Sequence, residues 1–257
     1  MSRLAILAGV FGLFAGSAAA ETLTIALSTA EIKVNSTFSG ETVTLFGVIE
    51  RDAATVSRNT DYEIAVVLRG PPQDVIERRK DRIAMVWVNS ASETIVAAPS
   101  FYALDTSGEL AEISTPPILA RNEIGFDSID FQYKGRDGAD DPVATEFRDA
   151  FVRLKKNAGL YSEQPAGVSF IGGTDDVFQA AMWIPANAPD GEYTVEVFLF
   201  SGNALLAREE GRLHITKVGF EQLMYSSAHN HTLLYGLACV LLALFTGWLA
   251  GVIFRRD

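Results

Sequence analysis

A β-sandwich held to a membrane by one C-terminal helix is the architecture this sequence predicts. Three observations point there. Short runs alternate apolar and polar residues between turn signals at both ends of the chain. A run from Thr232 to Phe254 carries no charge and is closed by Arg255-Arg256-Asp257. The first twenty residues read as an export leader.

The leader has Arg3 as its positive end, Leu4 to Phe14 as its apolar stretch and Gly16 to Ala20 as its small-residue end. This pattern predicts cleavage between Ala20 and Glu21. Strands are expected at Thr22–Ser28, Glu31–Ser36 and Glu41–Ile49, the last with Val43, Leu45 and Gly47 or Val48 toward a core. Tyr62–Leu68 is a further strand, ended by Gly70-Pro71-Pro72, and Ile83–Val88 and Thr94–Ala97 continue the series. Toward the C-terminus, Val177–Ile184 precedes the loop Pro185 to Gly191. Glu192–Phe200 then alternates, Ser201-Gly202-Asn203 turns into Leu205–Glu209, and Arg212–Val218 ends the set. Short antiparallel strands at this spacing predict an immunoglobulin-like sandwich.

The middle is different. Asp141-Pro142 is a helix start, with Asp as cap and Pro in the first turn. Phe147, Phe151 and Leu154 follow at helical spacing, and Gly159 is a natural stop. A shorter helix is expected within Pro117–Phe131. The predicted organisation is a leader at 1–20 and an exported domain at 21–220 with a helical insertion at about 117–160. A linker at 221–231, a span at 232–254 and a tail at 255–257 follow.

The uncharged run is long enough, at about 1.5 Å per residue, to cross a roughly 30 Å hydrocarbon core. Lipid offers the backbone no hydrogen bonds, so a single span must be a helix. The arginine pair belongs on the cytoplasmic side, which puts the domain outside. Cys239, Ala243, Gly247 and Gly251 recur every four residues along the span and form a ridge of small side chains. Such ridges allow close helix packing in lipid, here with a second copy or a permease helix.

Removing leader and tail charges leaves 18 basic and 31 acidic side chains outside, a net of −13, which argues against nucleic acid as a partner. The single cysteine, Cys239, lies in the span, so the exported part has no disulfide, thiol nucleophile or cysteine metal site. A bacterial periplasm suits such a domain. No catalytic motif, phosphate loop or metal-binding spacing occurs, and no cofactor is expected. His229-Asn230-His231 reads as linker, and Asp137 to Asp141 and Asp175-Asp176 as turns. One basic cluster, Arg78-Arg79-Lys80 with Arg82, is the candidate binding site for an anionic ligand or an acidic loop.

The closing stretch carries a resemblance. Lys217-Val218-Gly219-Phe220-Glu221-Gln222, Ala228-His229, Leu234-Tyr235-Gly236-Leu237 and Gly247 through Arg256 are similar to the alphaproteobacterial putative transmembrane protein family. So are Phe38 to Glu41 with Phe46-Gly47, Trp87-Val88-Asn89, Pro99 to Tyr102, Gly159-Leu160-Tyr161 and Pro185 through Tyr193. The resemblance covers nearly the whole mature chain. It implies an inner-membrane protein with a periplasmic domain, of a family often encoded beside a sulfite-exporter-like permease, which suggests a transport accessory. The functional expectation is an interaction or ligand-binding module rather than an enzyme. The alternative is a membrane-anchored periplasmic hydrolase using carboxylates or a metal in the helical insertion, a reading that His214 or His229 clustered with Asp175 and Asp176 around one deep pocket would favour.

Overall fold

The computed structural model describes residues 21–51, 61–83, 85–135, 142–219, 224, 228, 229 and 231–253. The expected leader, the Asp137 to Asp141 cluster with its helix cap, most of the linker and the arginine tail lie outside them. The described chain is mainly β, with one C-terminal apolar helix.

Thirteen strands among the described residues form three sheets. The first sheet contains β1 (Thr22–Leu27), β3 (Gly40–Glu50), β11 (Val177–Pro185) and β10 (Val168–Phe170), in that order. The second has six strands in the order β2 (Glu31–Val34), β13 (Ala204–Lys217), β12 (Gly191–Ser201), β4 (Glu63–Arg69), β7 (Tyr102–Thr106) and β9 (Tyr161–Gln164). The third joins β5 (Pro72–Ile83), β6 (Val86–Pro99) and β8 (Gln132–Tyr133). The helices are α1 (Leu110–Ile113), α2 (Pro116–Arg121), α3 (Pro142–Asn157) and α4 (Thr232–Ile253), with a 3-10 turn at Phe126–Ser128.

The first two sheets pack face to face. Val43, Leu45 and Ile49 of β3 meet Ile64, Val66 and Leu68 of β4 and Val195, Val197 and Leu199 of β12 in one core. Gly47 is also turned inward, because the Phe178 ring occupies the space where a Cβ would stand, 2.0 Å from its Cζ. Val48 points outward. Tyr193 starts β12 with its ring buried and its hydroxyl donating to the Pro189 carbonyl at 2.6 Å, which closes the preceding loop.

The second sheet is covered on both faces. Ala65 and Val67 of β4, Phe198 and Phe200 of β12, and Tyr102 and Leu104 of β7 form a separate core with α1, α2, α3 and the base of β5–β6. This double burial explains why Tyr62–Leu68 reads as an unbroken apolar run rather than an alternating one. Phe147 and Phe151 of α3 are buried as expected, but Leu154 is 56% exposed, so it does not pack the helix. Its side of the helix lines a groove instead.

One strand expectation holds and one is corrected. β4 ends at Arg69 and β5 opens at Pro72, the break that Gly70-Pro71-Pro72 predicts. Across the break, Gly70 N–H donates to Phe101 O at 2.8 Å and Ser100 N–H to Pro71 O at 3.1 Å, so the β4–β7 pair passes directly into the β5–β6 pair. Ile83–Val88 is no single strand, since Ile83 pairs with Val86 across the ribbon's turn and Met85 adopts a left-handed φ of 70°. A bulge bends the base, where Ala97, also left-handed, donates its N–H to Asp74 Oδ1 at 2.9 Å.

Candidate functional site

The strongest candidate site is the groove where β5 crosses α3. It has a volume of about 820 Å³, with Val75 through Arg79 on one side and Glu146 through Lys155 on the other. Val75, Phe147 and Phe151 supply apolar wall, and Leu154 stands at the opening. Glu77 lies inside it, only 8% exposed, and neither of its carboxylate oxygens has a hydrogen-bond partner. Burial pushes its carboxyl up to about 7, and the charge of Arg153 only partly opposes the shift. Most buried carboxylates are hydrogen-bonded, so an orphan one in a groove is a functional-site signal.

Two of the cations around it are committed elsewhere. Arg79 Nη1 holds Glu146 Oε2 at 3.0 Å. Lys155 Nζ donates to Ser100 O at 3.1 Å and lies 5.4 Å above the Phe151 ring, and burial lowers its pKa. Tyr133 donates to Ala144 O at 3.0 Å, and burial, with Glu77 nearby, pushes its hydroxyl up to about 12.

Glu77 makes stability depend on pH. Its folded pKa stands above the unfolded value of about 4.3, so the folded state binds the extra proton. Its contribution is most favourable below about pH 4 and is lost as pH rises toward about 7. Asp105, buried with Oδ2 unpaired and pushed up to about 6, acts in the same direction. Glu77→Gln is therefore expected to be more stable than the natural chain by roughly 3 kcal/mol at pH 8 and equal to it at pH 4. Urea unfolding at the two pH values reads this difference; a gap that is the same at both would mean Glu77 is ionised at no cost.

The basic cluster is split by strand alternation. Arg79 turns toward α3 and is held by Glu146, with Asp81 3.7 Å away. Arg78, Lys80 and Arg82 sit on the opposite face of β5, where register sets them against Ser92, Asn89 and Trp87. Arg78 also reaches the groove's rim. These residues thus belong to a projecting two-stranded arm and are divided between its two faces.

The second-sheet face under α2 holds an ion cluster that sequence reading missed. Glu196, 3% exposed, takes Arg69 on one oxygen and Arg208 on the other. Arg69 Nη2 also donates to the carbonyls of Asn122 at 3.1 Å and Glu123 at 3.0 Å. The available signal was a single carboxylate within the apolar run Tyr193–Phe200. Glu77 gave no such signal, because it opens a run of charges.

Of the residues named for hydrolysis, His214 and Asp176 are held by different sheets. His214 is exposed on β13, opposite Glu192 in register, whereas Asp176 pairs with Arg51 at 2.6 Å beside the first sheet. Among the described residues no group of three or more His, Cys, Asp or Glu is placed to hold a metal. In α4 the four-residue spacing of Cys239, Ala243, Gly247 and Gly251 is preserved on a regular helix, all four exposed, with open space beside both glycines.

A family model described as putative transmembrane protein, alphaproteobacterial by its label, matches residues 22–256. No curated protein matches the chain.

Proposed function

We propose that this chain, which belongs to the alphaproteobacterial putative transmembrane protein family, is a membrane-anchored, non-enzymatic binding module with its domain in the periplasm. The observation that carries the binding role is Glu77, a buried carboxylate with both oxygens free inside an 820 Å³ groove. A ligand that brings a protonated amine or another hydrogen-bond donor to Glu77 would satisfy those oxygens. Its apolar part would lie against Phe147 and Leu154.

The leader-like first twenty residues, the terminal arginines and the lack of cysteine outside the span support the orientation. Strand order supports an immunoglobulin-like domain. The order β1-β3-β11-β10 matches an ABED sheet, and β13-β12-β4-β7 a GFC sheet with an added strand. The Tyr193 hydroxyl bond to Pro189 has the form of a tyrosine corner. The ridge on α4 supports lateral packing with a second copy or a permease, such as the sulfite-exporter-like one the family resemblance implies.

A hydrolase is the second reading, favoured by one observation. A carboxyl pushed up to about 7 suits a general acid or base. The separation of His214 from Asp176 is what favours binding instead.

Native mass spectrometry of the intact protein, extracted in mild detergent, tests the groove. The natural chain is expected to carry a bound amine-bearing ligand that Glu77→Leu lacks. The same bound mass in both, or none in either, would sink the groove reading.

A further inference from the structure

The β5–β6 arm goes far beyond the groove it walls. Every described residue from 78 to 90 is exposed, and Arg79, held by Glu146 of α3, is where the ribbon leaves the groove. Its tip is apolar: Ile83, Val86 and Trp87 are 60–66% exposed and Met85 80%. Behind the tip, on the face of Trp87, stand Arg78, Lys80 and Arg82, cations on a domain that is otherwise strongly acidic.

Sheet register tells where the arm leaves the domain. Thr194 of β12 pairs with Arg69 on one side and with Arg212 on the other. Both neighbours run antiparallel to β12, so β4 and β13 run the same way and end at the same edge of the sheet. From that edge β4 passes into the arm, and β13 ends at Lys217, ahead of the membrane helix at Thr232. The arm's twelve-residue strand reaches roughly 40 Å at about 3.3 Å per residue. Residues 218–231 cannot span more than about 50 Å however they are arranged. Arm and anchor thus start from one end of the domain with comparable reach.

We propose that the arm is a second membrane attachment: Ile83, Met85, Val86 and Trp87 dip into the surface of the bilayer that α4 crosses. Arg78, Lys80 and Arg82 meet the phosphates of anionic headgroups. Tryptophan suits this boundary, having an apolar body and one N–H donor. Basic side chains beside an apolar tip are the usual complement to anionic lipid. Charge complementarity selects the occupant: a protein partner would have to cover the tip and also place acidic groups opposite three cations behind it, whereas an anionic headgroup layer offers both at once. A bilayer needs only depth, and α4 keeps the tip at high local concentration over it. The attachment is independent of Glu77 and would fix the groove's height and tilt above the membrane.

The test uses the full chain with Trp183→Phe and Trp248→Phe, so that Trp87 is the one fluorophore. The protein is reconstituted into phosphatidylethanolamine–phosphatidylglycerol vesicles with and without lipid carrying a nitroxide near the headgroup. Trp87 emission is expected to be blue-shifted and quenched at least two-fold by the nitroxide lipid. A tryptophan placed instead at Ala204, at the opposite end of β13, should be unquenched. Arg78→Glu with Lys80→Glu and Arg82→Glu should remove most of the quenching, and Glu77→Leu should leave it unchanged. Emission typical of water with no quenching would overturn the proposal. A blue shift without lipid quenching would also overturn it, by placing the tip against a second copy or another protein. A nitroxide at Val86→Cys, with Cys239→Ser and all tryptophans kept, must report the same depth.

Discussion

Arg69→Leu is expected to cost about 3–5 kcal/mol, and Arg208→Leu no more than about 1 kcal/mol, although both remove one partner of Glu196. The difference lies in what each leaves behind. Arg69 is mostly buried, and its guanidinium joins Glu196 to the carbonyls of Asn122 and Glu123 at the end of α2. Without it a carboxylate that is 3% exposed keeps only Arg208, whose side chain is half in water, and two carbonyls lose a donor. Breaking a buried pair from one side strands a charge at low dielectric, whereas the loss of Arg208 is softened by solvent. Replacing both ends together, Arg69→Met with Glu196→Leu, strands no charge and is expected to regain part of the loss, the remainder being the donor that the Asn122 and Glu123 carbonyls still lack. Denaturant unfolding of the three variants, followed by tryptophan fluorescence, checks this order. Equal costs for the two arginines would show that the buried carboxylate does not depend on Arg69.

How much of this was legible in the sequence follows from where side chains are buried. β3 and β12 were readable because one face meets the core, and period-two alternation records that. The C-terminal span was readable because lipid tolerates so few compositions. The helix over α3 was readable from Phe147 and Phe151, yet Leu154 shared their spacing while facing the groove. A hydrophobic period tells which residues share a side, not what covers it. The arm was illegible for the opposite reason. A freestanding ribbon buries neither face, so Arg78–Arg82 has no alternation, and an apolar tip looks like one more strand. Glu77 was hidden with it, since its burial comes from α3, about 70 residues further along the chain. Sites made where two distant elements cross leave no local pattern.

Phe151→Asp is expected to cost 5 kcal/mol or more, on the order of a whole domain's stability. The Phe151 ring is 3% exposed and meets the Phe131 and Tyr161 rings edge-on at 5.4 and 5.9 Å. Its loss opens a cavity worth about 3–5 kcal/mol, and a carboxylate in that cavity adds a desolvation cost. Lys155, 5.4 Å above the ring, could pair with the new charge only by giving up its bond to Ser100 O. Leu154→Asp, one residue away, is expected to change stability by no more than about 0.5 kcal/mol, because that side chain is already half in solvent. The damage should not stay in the outer layer. Strands β4 and β12 send alternate residues to the two cores, so loosening one core removes half of each strand's packing. A single cooperative transition, shifted far down in temperature for Phe151→Asp and hardly moved for Leu154→Asp, is the expected calorimetric result. Two separate transitions in the Phe151 variant would mean that the sandwich of the first two sheets stands without its third layer.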